Sequence, residues 1–178
     1  DIASLPVVPD LAILTTPLEE ASPLIGELGA RGTKAALLLS REILQDHRGD
    51  KAALLSQEMQ GKYPDEGESL KRKILETAKP FLLRVMGPDH LGYAVPAANV
   101  NASLSATRPL PGHIALLCQS AAIMRGVIDW ATGRNIGFSH VISVGMRWDV
   151  DLGDLLDYLL QDSNTRAILM YMESTRNR

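Results

Sequence analysis

Residues 112–130, GHIALLCQSAAIMRGVIDW, constrain this chain more than any other stretch. After Pro109, Pro111 and Gly112 the chain runs apolar through Ile114, Ala115, Leu116, Leu117 and Cys118. A short, uninterrupted apolar run bounded by turn residues reads as a strand buried on both faces. Gln119-Ser120 then hands over to a helix-period pattern through Ile123, Val127, Ile128 and Ala131. A helix that starts just after a strand directs its free backbone N–H groups and its positive dipole end toward solvent above the sheet. Such a start can hold a phosphate or another anion. Ser120 can equally serve as a plain helix cap, which needs no ligand, and the local pattern leaves both readings open.

The same alternation recurs on either side. Residues 11–15, LAILT, form a strand pattern that ends at Thr16-Pro17. Ser22-Pro23 reads as an N-cap and first-turn proline of a helix with Leu24, Ile25 and Leu28 inward, ending at Gly29 or Gly32. Residues 34–40, KAALLLS, give the next strand, which completes a βαβ unit. The stretch 41–79 is richer in charge, and its apolar stripes (Leu54, Leu55, Met59; Leu70, Ile74, Leu75) predict two amphipathic helices broken at residues 61–64. Residues 81–86 are a third buried strand, and 87–92, GPDHLG, its C-terminal turn. Residues 94–111 have loop composition. After the 112–130 element come a strand at 141–144 ending at Gly145, a helix at 152–160, and a strand at 167–172 ending at Glu173. The expected architecture is therefore α/β with two consecutive wound halves: residues 1–97 with a helical segment at 46–79, a linker at 98–111, and residues 112–178.

In parallel sheets of this kind ligands bind beyond the carboxyl ends of the strands. The polar clusters found there are Thr15-Thr16-Pro17, Ser40, Asp89-His90, Gln119-Ser120, Gly145 and Glu173. A net charge of −3 over 178 residues provides no basic footprint for nucleic acid or an anionic membrane. No apolar run reaches transmembrane length. The chain begins Asp1-Ile2 with neither a Met nor a signal peptide, which is expected of a piece of a longer, cytoplasmic protein. One cysteine, Cys118, excludes an internal disulfide framework and is expected in the core. His47, His90, His113 and His140 have no metal-ligand spacing, so no metal site is expected. The Lys71-Arg72-Lys73 run reads as a solvated helix face. No nucleophile–base pair arises by spacing, so no catalytic residue is assigned.

The turns, taken in order, resemble the NDP-forming acyl-CoA synthetases and the succinyl-CoA synthetase α subunit. GPDHLG at 87–92 is similar to that family's GPNCxG turn, and LLCQSAA at 116–122 to its (I/V)SQSG(A/T) turn. NASLS at 101–105, IDWA at 128–131, GFSHVISVG at 137–145 and DLLDYLLQDSNTRAILMYME at 154–173 follow the same pattern. The resemblance implies a truncated Rossmann-like CoA-binding domain followed by a partial flavodoxin-like domain of the succinyl-CoA synthetase type, both with parallel sheets. It implies that Thr15, Thr16, Pro17 and Ser40 lie on CoA-contacting strand ends, and that Pro88, Asp89 and His90 lie near the CoA thiol end. Gln119, Ser120 and Ala121 would sit at the helix start that cradles the phosphate of a phosphohistidine in working synthetases.

Three departures shape the functional expectation. Asp89 replaces the family's Asn and His90 its Cys, which sets a carboxylate where a neutral amide would face an anion. Ala121 replaces Gly, so a Cβ is expected to crowd the approach a phosphate needs. The resemblance also implies that the Gly-rich first turn, the phosphohistidine segment and an ATP-grasp domain lie outside these residues. Ala121 points toward the branch fused to a GNAT domain, the Pat-type protein lysine acetyltransferases. The first expectation is thus a non-catalytic regulatory region that binds CoA or acetyl-CoA beside a GNAT domain of the same parent. The alternative is part of an active synthetase making acyl-CoA from acid, ATP and CoA, with ATP held by an ATP-grasp domain. A third reading is a remnant α/β pair that only mediates homo-oligomerisation, whose signature would be exposed apolar edges where a missing strand should pair.

Overall fold

The computed structural model describes residues 2–39 and 64–174. It divides into two compact units, Asp1–Val85 and Met86–Arg178. In the first unit β1 (Leu11–Leu14) and β2 (Ala35–Leu38) pair in parallel, Leu11 opposite Ala35 and Leu14 opposite Leu38. β3 (Arg84–Met86) is the next strand in the order β1-β2-β3. Between the parallel strands runs α1 (Leu18–Arg31), which packs against α2 (Pro64–Ala78). Ser40 and the apolar stripe at Leu54, Leu55 and Met59 lie outside the described residues. The second stripe is observed in α2, with Ile74 buried and Leu70 and Leu75 half-buried.

α1 starts earlier than the Ser22-Pro23 signal predicts. Its N-cap is Pro17, and Pro23 lies inside the helix on an exposed face. An interior proline costs about 3 kcal/mol. Against this, Leu18, Ala21, Ile25 and Leu28 follow one another at three- and four-residue spacing, and all four are buried. Starting at Leu18 adds two of them to the core, a gain of about 2–3 kcal/mol. It also places Glu19 and Glu20 in the first turn, where the helix dipole favours carboxylates. Ser22 does not cap; its Oγ lies 2.9 Å from Thr77 Oγ1 of α2. The helix ends at Gly32, whose φ of 101° lets the Thr33 N–H reach back to the Leu28 carbonyl at 3.1 Å.

The second unit is a five-stranded sheet in the order β5-β4-β7-β6-β8 among the described residues. β6 (Pro111–Cys118), β7 (Phe138–Ser143) and β8 (Ala167–Tyr171) are parallel, with Cys118 opposite both Ser143 and Tyr171. Alternation along β6 supplies two cores. Leu116 and Cys118 pack with Met124, Ile128 and Ala131 of α3 (Ala121–Thr132). Ala115 and Leu117 pack on the other face with Leu152 and Leu159 of α4 (Leu152–Leu160). Both faces are covered, which is why β6 reads as an unbroken apolar run. Among the described residues β8 lies at one edge of the sheet, and its Leu169, Met170 and Tyr171 are exposed.

β4 (Gly92–Val95) and β5 (Val100–Ser103) are strands in a stretch whose later part, 94–111, has loop composition. The sequence reading put these residues at the end of the first half and in a linker. They form an antiparallel pair, Gly92 opposite Ser103, and β4 lies antiparallel to β7, Tyr93 opposite Ile142. The second compact unit begins at Met86. The loop-like composition belongs to the hairpin's turn chemistry. Asn99 takes a left-handed φ of 55°, and Asn101 Oδ1 accepts the Ser103 hydroxyl at 2.6 Å. No helix among the described residues is long and apolar enough to cross a membrane.

Candidate functional site

The carboxyl end of the second sheet gathers several predicted residues. β6 ends at Cys118, whose buried thiol donates to the Ser120 carbonyl at 3.1 Å. Burial pushes this thiol's pKa up, as expected of a core cysteine. Ser120 has extended backbone, and its Oγ accepts the Ile123 N–H of α3 at 3.4 Å. It is a helix cap by geometry. The first N–H groups of a helix have no intrahelical partner, and Ser120 takes only that of Ile123, leaving those of Ala121 and Ala122 without a partner among the described residues. Ala121 is half-buried and packs against the Leu116–Met124 core.

Gln119 has a role that the sequence did not reveal. Its backbone N–H bonds the Tyr171 carbonyl at 3.1 Å, and its Oε1 accepts the N–H groups of Glu173 and Ser174 at 2.7 and 3.1 Å. It thereby clamps the chain leaving β8 against the chain leaving β6.

The 87–92 turn lies at the same end of the sheet, because β4 runs antiparallel to β7 and so begins where β7 finishes. The loop after β7 joins it to the rest. The Val144 N–H bonds the Cys118 carbonyl at 3.0 Å, the Met146 N–H bonds Pro88 at 2.9 Å, and the Trp148 N–H bonds Gly87 at 3.2 Å. The Leu91 N–H donates to Ser143 Oγ at 3.0 Å. Gly145, at φ 54°, passes so close that a Cβ there would lie 2.2 Å from the Pro88 carbonyl oxygen. Only glycine fits this approach.

Within the turn, Gly87–Pro88 is a cis peptide and Asp89 has φ 54°, a left-handed conformation that Asn and Asp tolerate best. That requirement accounts for an Asn or Asp at this position without reference to a ligand. Asp89 is exposed and Pro88 buried. His90 is buried, and its Nδ1 accepts the Gly92 N–H at 2.9 Å. Nδ1 therefore carries no proton, and the neutral ring bears its hydrogen on Nε2.

Arg147 was missed altogether. It is only 7% exposed, has φ 53°, and donates from Nη2 to Ser174 Oγ at 3.1 Å. Its position two residues beyond Gly145, just past the end of β7, was the available signal; nothing local marks an arginine as buried.

Thr15, Thr16 and Pro17 follow β1 in the first unit, Thr15 and Pro17 exposed and Thr16 half-buried. Ser40 lies outside the described residues. A cavity of about 250 Å³ opens at the amino-terminal end of the second sheet, lined by Pro111, His113, Ser139, His140 and Asn164 among others. His140 is buried there with Nε2 3.3 Å from the Tyr158 hydroxyl and Nδ1 3.5 Å from Asp162. Burial lowers its pKa, opposed by the Asp162 carboxylate.

Three parallel strands, with a capped helix start and a stitched turn at their carboxyl end, give the second unit an α/β, flavodoxin-like fold. The family described as "Succinyl-CoA ligase like flavodoxin domain" matches residues 111–178. The α subunit of acetate–CoA ligase (ADP-forming) I from Pyrococcus furiosus is 31% identical over 176 residues, covering 99% of this chain and 34% of that protein. The acetate–CoA ligase (ADP-forming) of Methanocaldococcus jannaschii is 30% identical over 169 residues, 95% of this chain and 21% of that protein. The solved dinucleotide-forming acetyl-coenzyme A synthetase 1 of Ca. Korarchaeum cryptofilum, in complex with phosphate and ADP, superposes with a TM-score of 0.81 at 27% identity, over 98% of this chain and 34% of that one. The chain thus spans 21% to 34% of the length of these relatives. They fit the synthetase alternative better than the regulatory acetyltransferase reading, and none of these three is an acetyltransferase.

Proposed function

We propose that this chain is the CoA-binding and first ligase portion of an NDP-forming acyl-CoA synthetase, which joins a carboxylic acid to CoA at the expense of ATP. The observation that carries the reading is the shared carboxyl end of the second unit, where the α3 start and the 87–92 turn are tied to one loop. The free N–H groups of Ala121 and Ala122, together with the helix dipole, suit a phosphoryl group passing between acid and nucleotide. The phosphate in the Korarchaeum complex supports an anion among the ligands of such a protein. On this reading Thr15, Thr16, Pro17 and Ser40 contact CoA, and Pro88, Asp89 and His90 border the thiol end. ATP belongs to a partner ATP-grasp domain or subunit. These residues position and stabilise; none of them is assigned a covalent step.

The test uses the full-length parent together with any partner subunit. Acetate, ATP and CoA are supplied, and ADP and acetyl-CoA are measured. ADP release that requires both CoA and acid is expected. Acetyl transfer from acetyl-CoA to protein lysines, without acid-dependent ADP release, would return the regulatory reading to first place.

A further inference from the structure

We propose that Arg147 is the cationic anchor for an oxyanion, the phosphoryl or carboxylate group of the substrate, at the carboxyl end of the second sheet. This rests on the synthetase reading above. A guanidinium remains charged at any accessible pH, so its burial has to be matched by an acceptor. Arg147 is 7% exposed, and among the described residues no carboxylate pairs with it. Among the described residues its one acceptor is the neutral Ser174 hydroxyl, and its buried Nε has none. A planar fork with unused donors is the side chain best suited to grip a phosphate or carboxylate through two parallel hydrogen bonds.

The arginine is also held where such a ligand would arrive. Its backbone has the left-handed φ of 53°, uncommon for a residue with a side chain. The loop on either side is pinned by the Met146 and Trp148 N–H groups on Pro88 and Gly87. Ser174, which accepts from the guanidinium, donates its own N–H to Gln119 Oε1, and Gln119 immediately precedes the cap of α3. The charge of Arg147 and the positive end of α3 are thus joined through two hydrogen bonds at one end of the sheet. The nearby acidic residues Asp89 and Glu173 are exposed and make no ion pair with it.

The experiment titrates inorganic phosphate, and separately acetate, into the full-length protein and into its Arg147→Met and Arg147→Lys variants, followed by calorimetry and by thermal unfolding. Wild type should bind at least one of the two anions and be stabilised by it. Arg147→Met should lose about tenfold or more in affinity, the effect of losing hydrogen bonds to a charged group, with Arg147→Lys in between. Preference for phosphate assigns the site to the phosphoryl group, and preference for acetate to the acid's carboxylate. Without anion, Arg147→Met should be as stable as wild type or more so, because an unpaired buried charge has gone. If wild type binds anion and Arg147→Met binds it equally well, the assignment of Arg147 is wrong while the site stands. Binding of neither anion by wild type would sink the site reading and this inference together.

Discussion

Replacing Gly145 by alanine tests whether the loop after β7 truly organises the carboxyl end of the second sheet. The new Cβ would lie 2.2 Å from the Pro88 carbonyl oxygen, 2.8 Å from that of Asp89 and 2.9 Å from the Cβ of His90. Two of these neighbours are backbone atoms, which cannot rotate away as a side chain can. The φ of 54° adds about 1–2 kcal/mol for any residue with a Cβ. Forcing a methyl into a packed contact adds about 1–3 kcal/mol. The sum is about 2–5 kcal/mol. For a unit of about 90 residues this is a fall in Tm of about 8 °C or more. The internal control is Gly126→Ala on the exposed face of α3, where a Cβ meets nothing within 4 Å. There the same substitution should stabilise by about 0.5–1 kcal/mol by lowering the entropy of the unfolded chain. Thermal unfolding followed by circular dichroism reads both variants in one experiment. A Gly145→Ala protein that melts within about 2 °C of wild type would refute the close approach on which the site geometry depends.

Two further predictions concern the second unit. Asp151 caps α4, with Oδ1 accepting the N–H groups of Gly153 and Asp154 at 2.8 and 3.1 Å while the Asp154 carboxylate bonds back to the Asp151 N–H. Asp151→Ala should cost about 1 kcal/mol, read as a lower urea midpoint, whereas an unchanged midpoint would deny the capping box any energetic role. His140 has a folded-state pKa below its ordinary 6.5, chiefly through burial. The unfolded chain therefore takes up a proton there that the folded chain does not, and stability should fall as pH drops below about 6.5. Asp162 is shifted downward, first by its hydrogen bond from Thr165, so its stabilisation is lost as pH falls through the ordinary carboxylate range and below it. His140→Gln should flatten the stability profile between pH 7 and 5, and an undiminished slope in that variant would place the proton uptake elsewhere.

Much of this fold is legible in the chain because burial leaves a local trace. A strand covered on both faces must be apolar, so β6 stands out, and a helix with one face inward must repeat every three or four residues. The helix expected at residues 152–160 coincides with α4, where the Asp151 cap and the inward Leu159 are neighbours in sequence. The Gln119-Ser120 junction and the 87–92 turn could likewise be placed at strand ends without coordinates. Tertiary structure alone decided what those ends are joined to. The pairing of β4 with β7 links Tyr93 to Ile142, and the loop that stitches the site brings Met146 to Pro88. Partners so far apart in sequence leave no periodic signal in either segment. For the same reason α1 starts at Leu18 and not at Ser22, since the core that rewards burial of Leu18 is built from distant strands and from α2. The burial of Arg147 is the clearest case. An arginine in a loop carries no mark of what will close over it, and only the packed chain turns it from an ordinary surface charge into a buried cation beside the Ser174 hydroxyl.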